Sequence, residues 1–253
     1  MCKKNTTLQE IGRVRELVRY PVKSMAGTVV KSAAAGWHGL AGDRRLAFRR
    51  IIEEANSFPW LSASRLPELL AYRPTGLDES NGEPIPTHVQ TPAGSQLQIG
   101  SAELDDHVSR QFGKSVELTH LKHGIFDEAP VSVINLATID GISREADLDL
   151  DRRRFRANVY LESARTDPFQ EDEWVGGTLI FGDGESRVVL SVTMQDYRCA
   201  MINLDPETCE RNPHVMKTVI RLNEGYAGVY ATVIRTGTIN VGDRVRFAAE
   251  ESS

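Results

Sequence analysis

The apolar residues of this chain come in short β-branched runs that glycine and proline cut off, so it can build many short strands and few helices. Arg13 to Val30 is such a run, broken at Pro21 and Gly27, and reads as two strands around a turn made by Pro21-Val22-Lys23-Ser24. Gly42-Asp43-Arg44 is a second turn, feeding a strand that ends near Arg50. Arg73 to Gly100 carries proline and glycine in short pieces and reads as loops and hairpins. Thr178 to Phe181, Arg187 to Met194 and Val229 to Thr236 give three more strands, and Gly237 to Val245 reads as a hairpin turning at Gly242-Asp243.

Helical periodicity is sparse. Leu104, Val108 and Phe112 recur every fourth residue and Gly113 follows, which predicts a helix within Ser101 to Gly113. Val131 to Ile134 predicts a strand, after which Asn135 stands at an N-cap and Leu136, Ile139 and Ile142 mark a helix face. Phe155, Ala157, Val159 and Leu161 alternate with Arg154, Arg156, Asn158 and Tyr160, which predicts a strand with Arg154, Arg156 and Asn158 on one face. The expected fold class is α+β, rich in β, with barrel-like closed sheets. The polar stretch His120 to Ala129 marks a boundary between a domain over residues 11–120 and another over 125–248.

Composition narrows the function classes. With 253 residues, 40% hydrophobic and 26% charged, the chain can bury a sizeable core. A net charge of −5 gives it no general attraction for nucleic acid or anionic membrane. Cys2, Cys199 and Cys209 are too few for a disulfide framework or a four-cysteine iron–sulfur site. No apolar run approaches the roughly 18 residues of a membrane span, and Met1 to Glu10 lacks the apolar stretch of a signal peptide. The expectation is a cytoplasmic protein without nucleic-acid or membrane partners. Its six histidines show no zinc spacing, and no GxSxG, Walker A or GxGxxG motif is present.

Three groups of residues could carry chemistry. Cys199, in Asp196-Tyr197-Arg198-Cys199-Ala200, falls at a strand-to-turn junction beside Arg198, whose charge favours a thiolate. The other reading of Cys199 is a small buried core residue. Arg154, Arg156 and Asn158 could hold a phosphate, because guanidinium forks match its oxygens, or could form a solvated face. Lys23 and Ser24 in their tight turn, and Asp43-Arg44 after Gly42, could hold an anion, but taken alone an ordinary surface is the default reading.

Read in order, these pieces resemble a family pattern. Tyr20-Pro21-Val22-Lys23-Ser24 and Gly39-Leu40-Ala41-Gly42-Asp43-Arg44 resemble the N-terminal β-barrel domain that accompanies MOSC domains, and Phe58 to Ser64 fits a further segment of it loosely. Arg153-Arg154-Phe155-Arg156-Ala157-Asn158, Pro168-Phe169-Gln170-Glu171-Asp172-Glu173-Trp174, and Arg198-Cys199 followed by Asp205-Pro206-Glu207-Thr208 are similar to motifs of the MOSC domain itself, in its amidoxime-reducing branch. Ala157 replaces a proline of the pattern, Tyr197 a small residue and Cys209 a glycine.

The resemblance implies a molybdenum cofactor (molybdopterin) with Cys199 as the protein's thiolate on the metal. It places Lys23, Ser24, Arg44, Arg156 and Asn158 around the pterin and its phosphate, with Arg198 beside them and Thr138 as a further contact near a helix N-terminus. It implies a molybdenum-dependent reductase of N-hydroxylated and N-oxide small molecules. Electrons would come from a separate flavin or iron–sulfur reductase protein, since no such motif stands here. The other readings are a sulfur carrier using a Cys199 persulfide and a catalytically silent relative. Asp205 either delivers protons or shapes its Asp-Pro turn, and Tyr197 would narrow the pocket.

Overall fold

The computed structural model describes residues 8–51, 58–80 and 82–249; Cys2 and most of the polar segment Met1 to Glu10 lie outside them. The first strand, β1 (Gln9–Arg19), buries Val14 and Leu17, an odd spacing that strict alternation would put on opposite faces. A bulge between Val14 and Glu16 turns Leu17 back inside. After β1 come β2 (Thr28–Val30), β3 (Ser32–Gly36), β4 (Gly39–Leu40) and β5 (Leu46–Arg50). The proline-rich stretch then forms a small antiparallel sheet of β6 (Arg73–Thr75), β7 (His88–Gln90) and β8 (Gln96–Gln98). Helix α1 (Ala102–Phe112) follows where its periodicity predicts it, capped by Ser101 and stopped by Gly113 in the left-handed conformation. Strand β9 (Val116–His120) returns to pair with β5. Val22, Phe48, Leu61, Leu69, Val89 and Leu104 pack as the core of this region.

Beyond it run β10 (Val131–Asn135), α2 (Leu136–Ala146) and β11 (Val159–Ser163), a crossover that sets β10 and β11 parallel. Then come β12 (Thr178–Phe181), β13 (Val188–Tyr197), α3 (His214–Asn223), β14 (Tyr226–Arg235), β15 (Gly237–Asn240) and β16 (Arg244–Ala248). Seven strands close into a barrel in the order β11-β10-β14-β13-β12-β16-β1, sealed by β1 pairing with β11. The expected β-rich closed architecture is what the chain forms. Val131, Val159, Leu179, Leu190, Val229 and Val245 fill the interior, each worth about 1.5–3 kcal/mol of burial. Because β1 belongs to this barrel, the sheet sews residues before the His120–Ala129 stretch to those after it.

Three local expectations need correction. Gly237 to Val245 is no hairpin: β15 pairs with β3, and β16 pairs with β1 and β12. The turn at Gly242-Asp243 is real, but it is tied to β1, with Gly242 N donating to Val14 O and Val14 N to Asp243 O. Helix α3 carries the periodic residues Val215 and Val219 into the core beside α2 and was not anticipated. The predicted strand around residue 155 begins only at Val159. Upstream, Asp151 accepts from Arg153 N at 2.8 Å and winds Arg152–Phe155 into a 3-10 turn, and Arg156 then takes φ of +50°. Arg154, Arg156 and Asn158 therefore do not share a strand face.

Candidate functional site

Cys199 is placed by the end of β13. Alternation there buries Asp196, exposes Tyr197, buries Arg198 and exposes Cys199. The Arg198 guanidinium turns inward, donating to Ala227 O and Phe155 O at 2.6 Å each, with Nη2 2.9 Å from Asp196 Oδ2. Gly228 leaves it room, since a Cβ there would stand 2.8 Å from Nη2. The chain then tightens into a 3-10 turn over Ala200–Asn203, with Cys199 at its N-cap position. Arg198 thus acts as a hook that pins the chain immediately before Cys199. The thiol is exposed on the wall of a cavity of about 360 Å³, so it is not a core residue.

The facing wall is basic. Lys23, Ser24, Arg44 and Arg156 all line the cavity, and Ser24, Arg44 and Arg156 each hold a left-handed backbone (φ +68°, +50° and +50°). Non-glycine residues pay for that conformation, and such strain gathers where a fold must aim side chains. Arg44 donates to Asp43 Oδ2 at 2.6 Å, to Asn158 Oδ1 at 3.0 Å and to Arg156 O at 3.1 Å. Arg156 has the face of Tyr20, 4.3 Å from its guanidinium, and one acceptor, Met25 O, at 2.8 Å. Among the described residues no carboxylate pairs with it. Burial, and then Arg44 beside it, lower its pKa, so this cation is uncomfortable without an anion.

One acidic residue already answers that field. Asp127 Oδ1 lies 2.9 Å from Lys23 Nζ at the cavity mouth, with most of its side chain in solvent. Partial desolvation pushes its carboxyl up, but Lys23, Arg44 and Arg156 outweigh this and hold it below the usual range. Asp127 pairs directly with Lys23 and lies within the field of Arg44 and Arg156, so the wall is electropositive at this point. On the inner side Asp196 accepts from Ser132 Oγ at 3.0 Å, and burial raises its pKa. Tyr230 also lines the cavity, its hydroxyl pKa raised by burial and by the charge of Asp196. Asp127, Ser132 and Tyr230 carried no motif in the sequence, and β10, β13 and β14 bring Ser132, Asp196 and Tyr230 together.

The remaining expected residues fall elsewhere. Asn158 is fully buried behind Arg44, donating to Val18 O and accepting from Ser132 N, so it supports the wall without lining the cavity. Thr138 is buried in α2, donating to Glu171 Oε2 at 2.8 Å and accepting from Phe169 N at 2.7 Å. The N-terminus of α2 is not open to a phosphate, because the Glu171 carboxyl occupies it, with Asn135 N donating to Oε1 at 3.4 Å. Burial pushes the Glu171 carboxyl up to about 7. Asp205 shapes its turn: Oδ1 accepts from Glu207 N and Thr208 N at 2.9 Å, while Oδ2 pairs with Arg154 at 2.6 Å. Cys209 keeps the left-handed φ of +60° where the family pattern has glycine. It packs against the cluster of Ala63, Leu70 and Leu204, and its thiol pKa is raised by burial and then by Glu68, which makes it a poor redox partner for Cys199.

The chemistry of the donors bears on the cofactor that the motifs imply. Among the described residues no three His, Cys, Asp or Glu are grouped to hold a metal ion. A metal beside Cys199 would have one protein thiolate and would take its other ligands from a bound molecule. An anionic molecule fits the basic wall. A pterin phosphate carrying sulfur ligands has that chemistry.

Comparison with known proteins follows the same lines. Residues 120–246 match the family model described as the MOSC domain. The chain is 24% identical to mitochondrial amidoxime reducing component 2 of Rattus norvegicus, over 94% of its own length and 84% of the relative's. It is 23% identical to a molybdenum cofactor sulfurase of Drosophila mojavensis over 89% of its length, while spanning about a third (32%) of that protein. The crystal structure of the YUAD protein from Bacillus subtilis shares the fold, with a TM-score of 0.53 at 13% identity, covering 97% of this chain and all of the other.

Proposed function

The chain belongs to the MOSC-domain family, and from that premise we propose that it binds the molybdenum cofactor in the Cys199 cavity and reduces N-hydroxylated and N-oxide small molecules. The observation that carries this reading is one exposed thiol, Cys199, facing a wall of three cations, Lys23, Arg44 and Arg156, with no carboxylate paired to Arg156 among the described residues. When bound, the cofactor would supply a two-electron redox centre for cleavage of the N–O bond. The protein's residues do the rest. Lys23 and Arg156 grip the phosphate as charge-assisted donors, and Arg44, fixed by Asp43 and Asn158, closes the grip. Arg198 holds Cys199 in place to donate its sulfur.

Breaking the N–O bond consumes two electrons and two protons and releases the oxygen as water. The electrons come from a separate donor protein. Burial and the charge of Asp196 keep the Tyr230 hydroxyl protonated, so on the cavity wall it serves as a neutral hydrogen-bond donor to the substrate, and the two protons come from solvent.

The similarity to a molybdenum cofactor sulfurase, together with an exposed thiol, favours a second reading in which Cys199 carries sulfur as a persulfide. The basic wall has no clear task there. The test is to reduce protein purified from a molybdenum-replete host with a chemical viologen and supply benzamidoxime. Conversion to benzamidine that is lost in Cys199→Ser fits the reductase. Reductant-released sulfane sulfur from Cys199, with benzamidoxime untouched, transfers the function to sulfur carriage.

A further inference from the structure

Large aromatic rings left in solvent are informative when two of them border the same cavity. Tyr197 is 60% exposed and Phe58 is 56% exposed, and both line the cavity that holds Cys199. The Tyr197 ring is held in place. Tyr197 leans edge-on against Tyr226, with ring centroids 5.3 Å apart at 73°. Its ring occupies the space over Gly225, where a Cβ would stand 2.7 Å from Cε2. Gly225 itself holds φ of +96°, so this glycine is required twice over. Phe58 is fixed through its backbone. The nearly buried Arg50 donates to Phe58 O from its guanidinium, and Arg50 N donates to Pro59 O at 2.7 Å. Half-buried Met201 adds a polarizable thioether to the same lining.

A held ring at Tyr197, a second ring on an anchored backbone at Phe58 and the Met201 thioether line the cavity of the exposed thiol, a surface that loses little ordering entropy in holding a flat apolar group. We propose that Tyr197 and Phe58 are specificity-determining residues that select substrates carrying an aryl ring next to the N–O group, an inference that rests on the reductase reading. On that reading the cations of the cavity wall hold the phosphate, and the rings hold the part of the substrate remote from the bond that breaks. Tyr197 matters most, because its backbone is two residues from Cys199. A small residue at this position leaves Phe58 as the one exposed aromatic ring among the described lining residues.

The test compares benzamidoxime with acetamidoxime, which has the same reacting group and no ring. Dissociation constants are measured by ligand-observed NMR on oxidised, cofactor-loaded protein with no reductant present, so binding is read without turnover. The wild type prefers benzamidoxime, and Tyr197→Ser lowers the ratio of the two affinities by about tenfold. Phe58→Ala lowers it in the same direction, and Tyr197→Phe restores it because the ring, not the hydroxyl, makes the contact. An unchanged ratio in both ring-removing variants overturns the proposal. So does a variant that alters only the rate with a donor protein, which would make this a protein-docking surface. Ring-dependent binding of benzamidoxime without its reduction leaves the aromatic clamp standing and removes the reductase. Reduction without a ring preference does the opposite.

Discussion

Lys23 and Asp127 meet at 2.9 Å across the cavity mouth, joining the turn after β1 to the loop before β10. Asp127 lies where Lys23, Arg44 and Arg156 all pull on it. It therefore competes with any anion that enters. Asp127→Asn removes the competitor, and binding of inorganic phosphate, followed by 31P NMR titration, should tighten about threefold to fivefold, a modest factor because an exposed pair is screened by solvent. Lys23→Ala should weaken it. Weaker phosphate binding in Asp127→Asn would mean that the carboxylate builds the site.

The ion pair of Arg198 with Asp196 predicts an asymmetry. Both groups are buried, and Arg198 also satisfies the carbonyls of Ala227 and Phe155. Arg198→Met leaves Asp196 charged and unpaired, which should cost about 3–5 kcal/mol in urea unfolding. Adding Asp196→Asn should return a good part of that loss. Equal destabilisation in the single and double variants would show that the carbonyl contacts, not the charge, carry the hook.

Glu171 makes stability depend on pH. Its buried carboxyl titrates at about 7 when folded, against an ordinary value of 4.5. The folded state therefore keeps a proton that the unfolded chain has already lost, so this contribution is full below pH 4.5 and falls away as pH rises towards 7, by roughly 3 kcal/mol in all. Glu171→Gln should flatten the dependence of Tm on pH between 5 and 8 and gain relative to wild type at the alkaline end. A wild type whose Tm is level across that range, or climbs with pH in a way that Glu171→Gln abolishes, would contradict the assignment.

Thr138 separates structural from cofactor roles. Its hydroxyl bonds Glu171 and Phe169 N and stands outside the cavity lining. Thr138→Val should lower stability by about 1–3 kcal/mol, since it leaves a buried carboxyl short of a donor, and should leave phosphate affinity unchanged. Loss of phosphate binding at unaltered stability would restore Thr138 to the site.

These cases show how far the residues themselves could be read. Ser101, Gly113 and Asn135 announce their helix ends because a cap is a local interaction, visible in a few neighbouring positions. The closed barrel was legible as a class from many short β-branched runs, but its strand order was not. β16 leaves the turn at Gly242 to pair with β1, at the other end of the chain, and with β12, neither of them its neighbour in sequence. Arg154, Arg156 and Asn158 look alternating on paper, and one cap at Asp151 breaks the period. Cys199, Lys23, Ser24, Arg44 and Arg156 line one cavity, and Asn158 and Thr138 lie outside its lining. Asp127 and Tyr230 had no local signature, because their significance is the distant cations and the thiol that the fold sets beside them.

The most direct measurement is the molybdenum and pterin content of the protein purified from a molybdenum-replete host, beside that of Cys199→Ser. The account predicts close to one molybdenum and one pterin per wild-type chain. In the folded variant, molybdenum should be largely lost and the pterin partly retained by the basic wall. Well-folded wild-type protein that carries neither metal nor pterin, or a Cys199→Ser variant that keeps its full molybdenum, would contradict it.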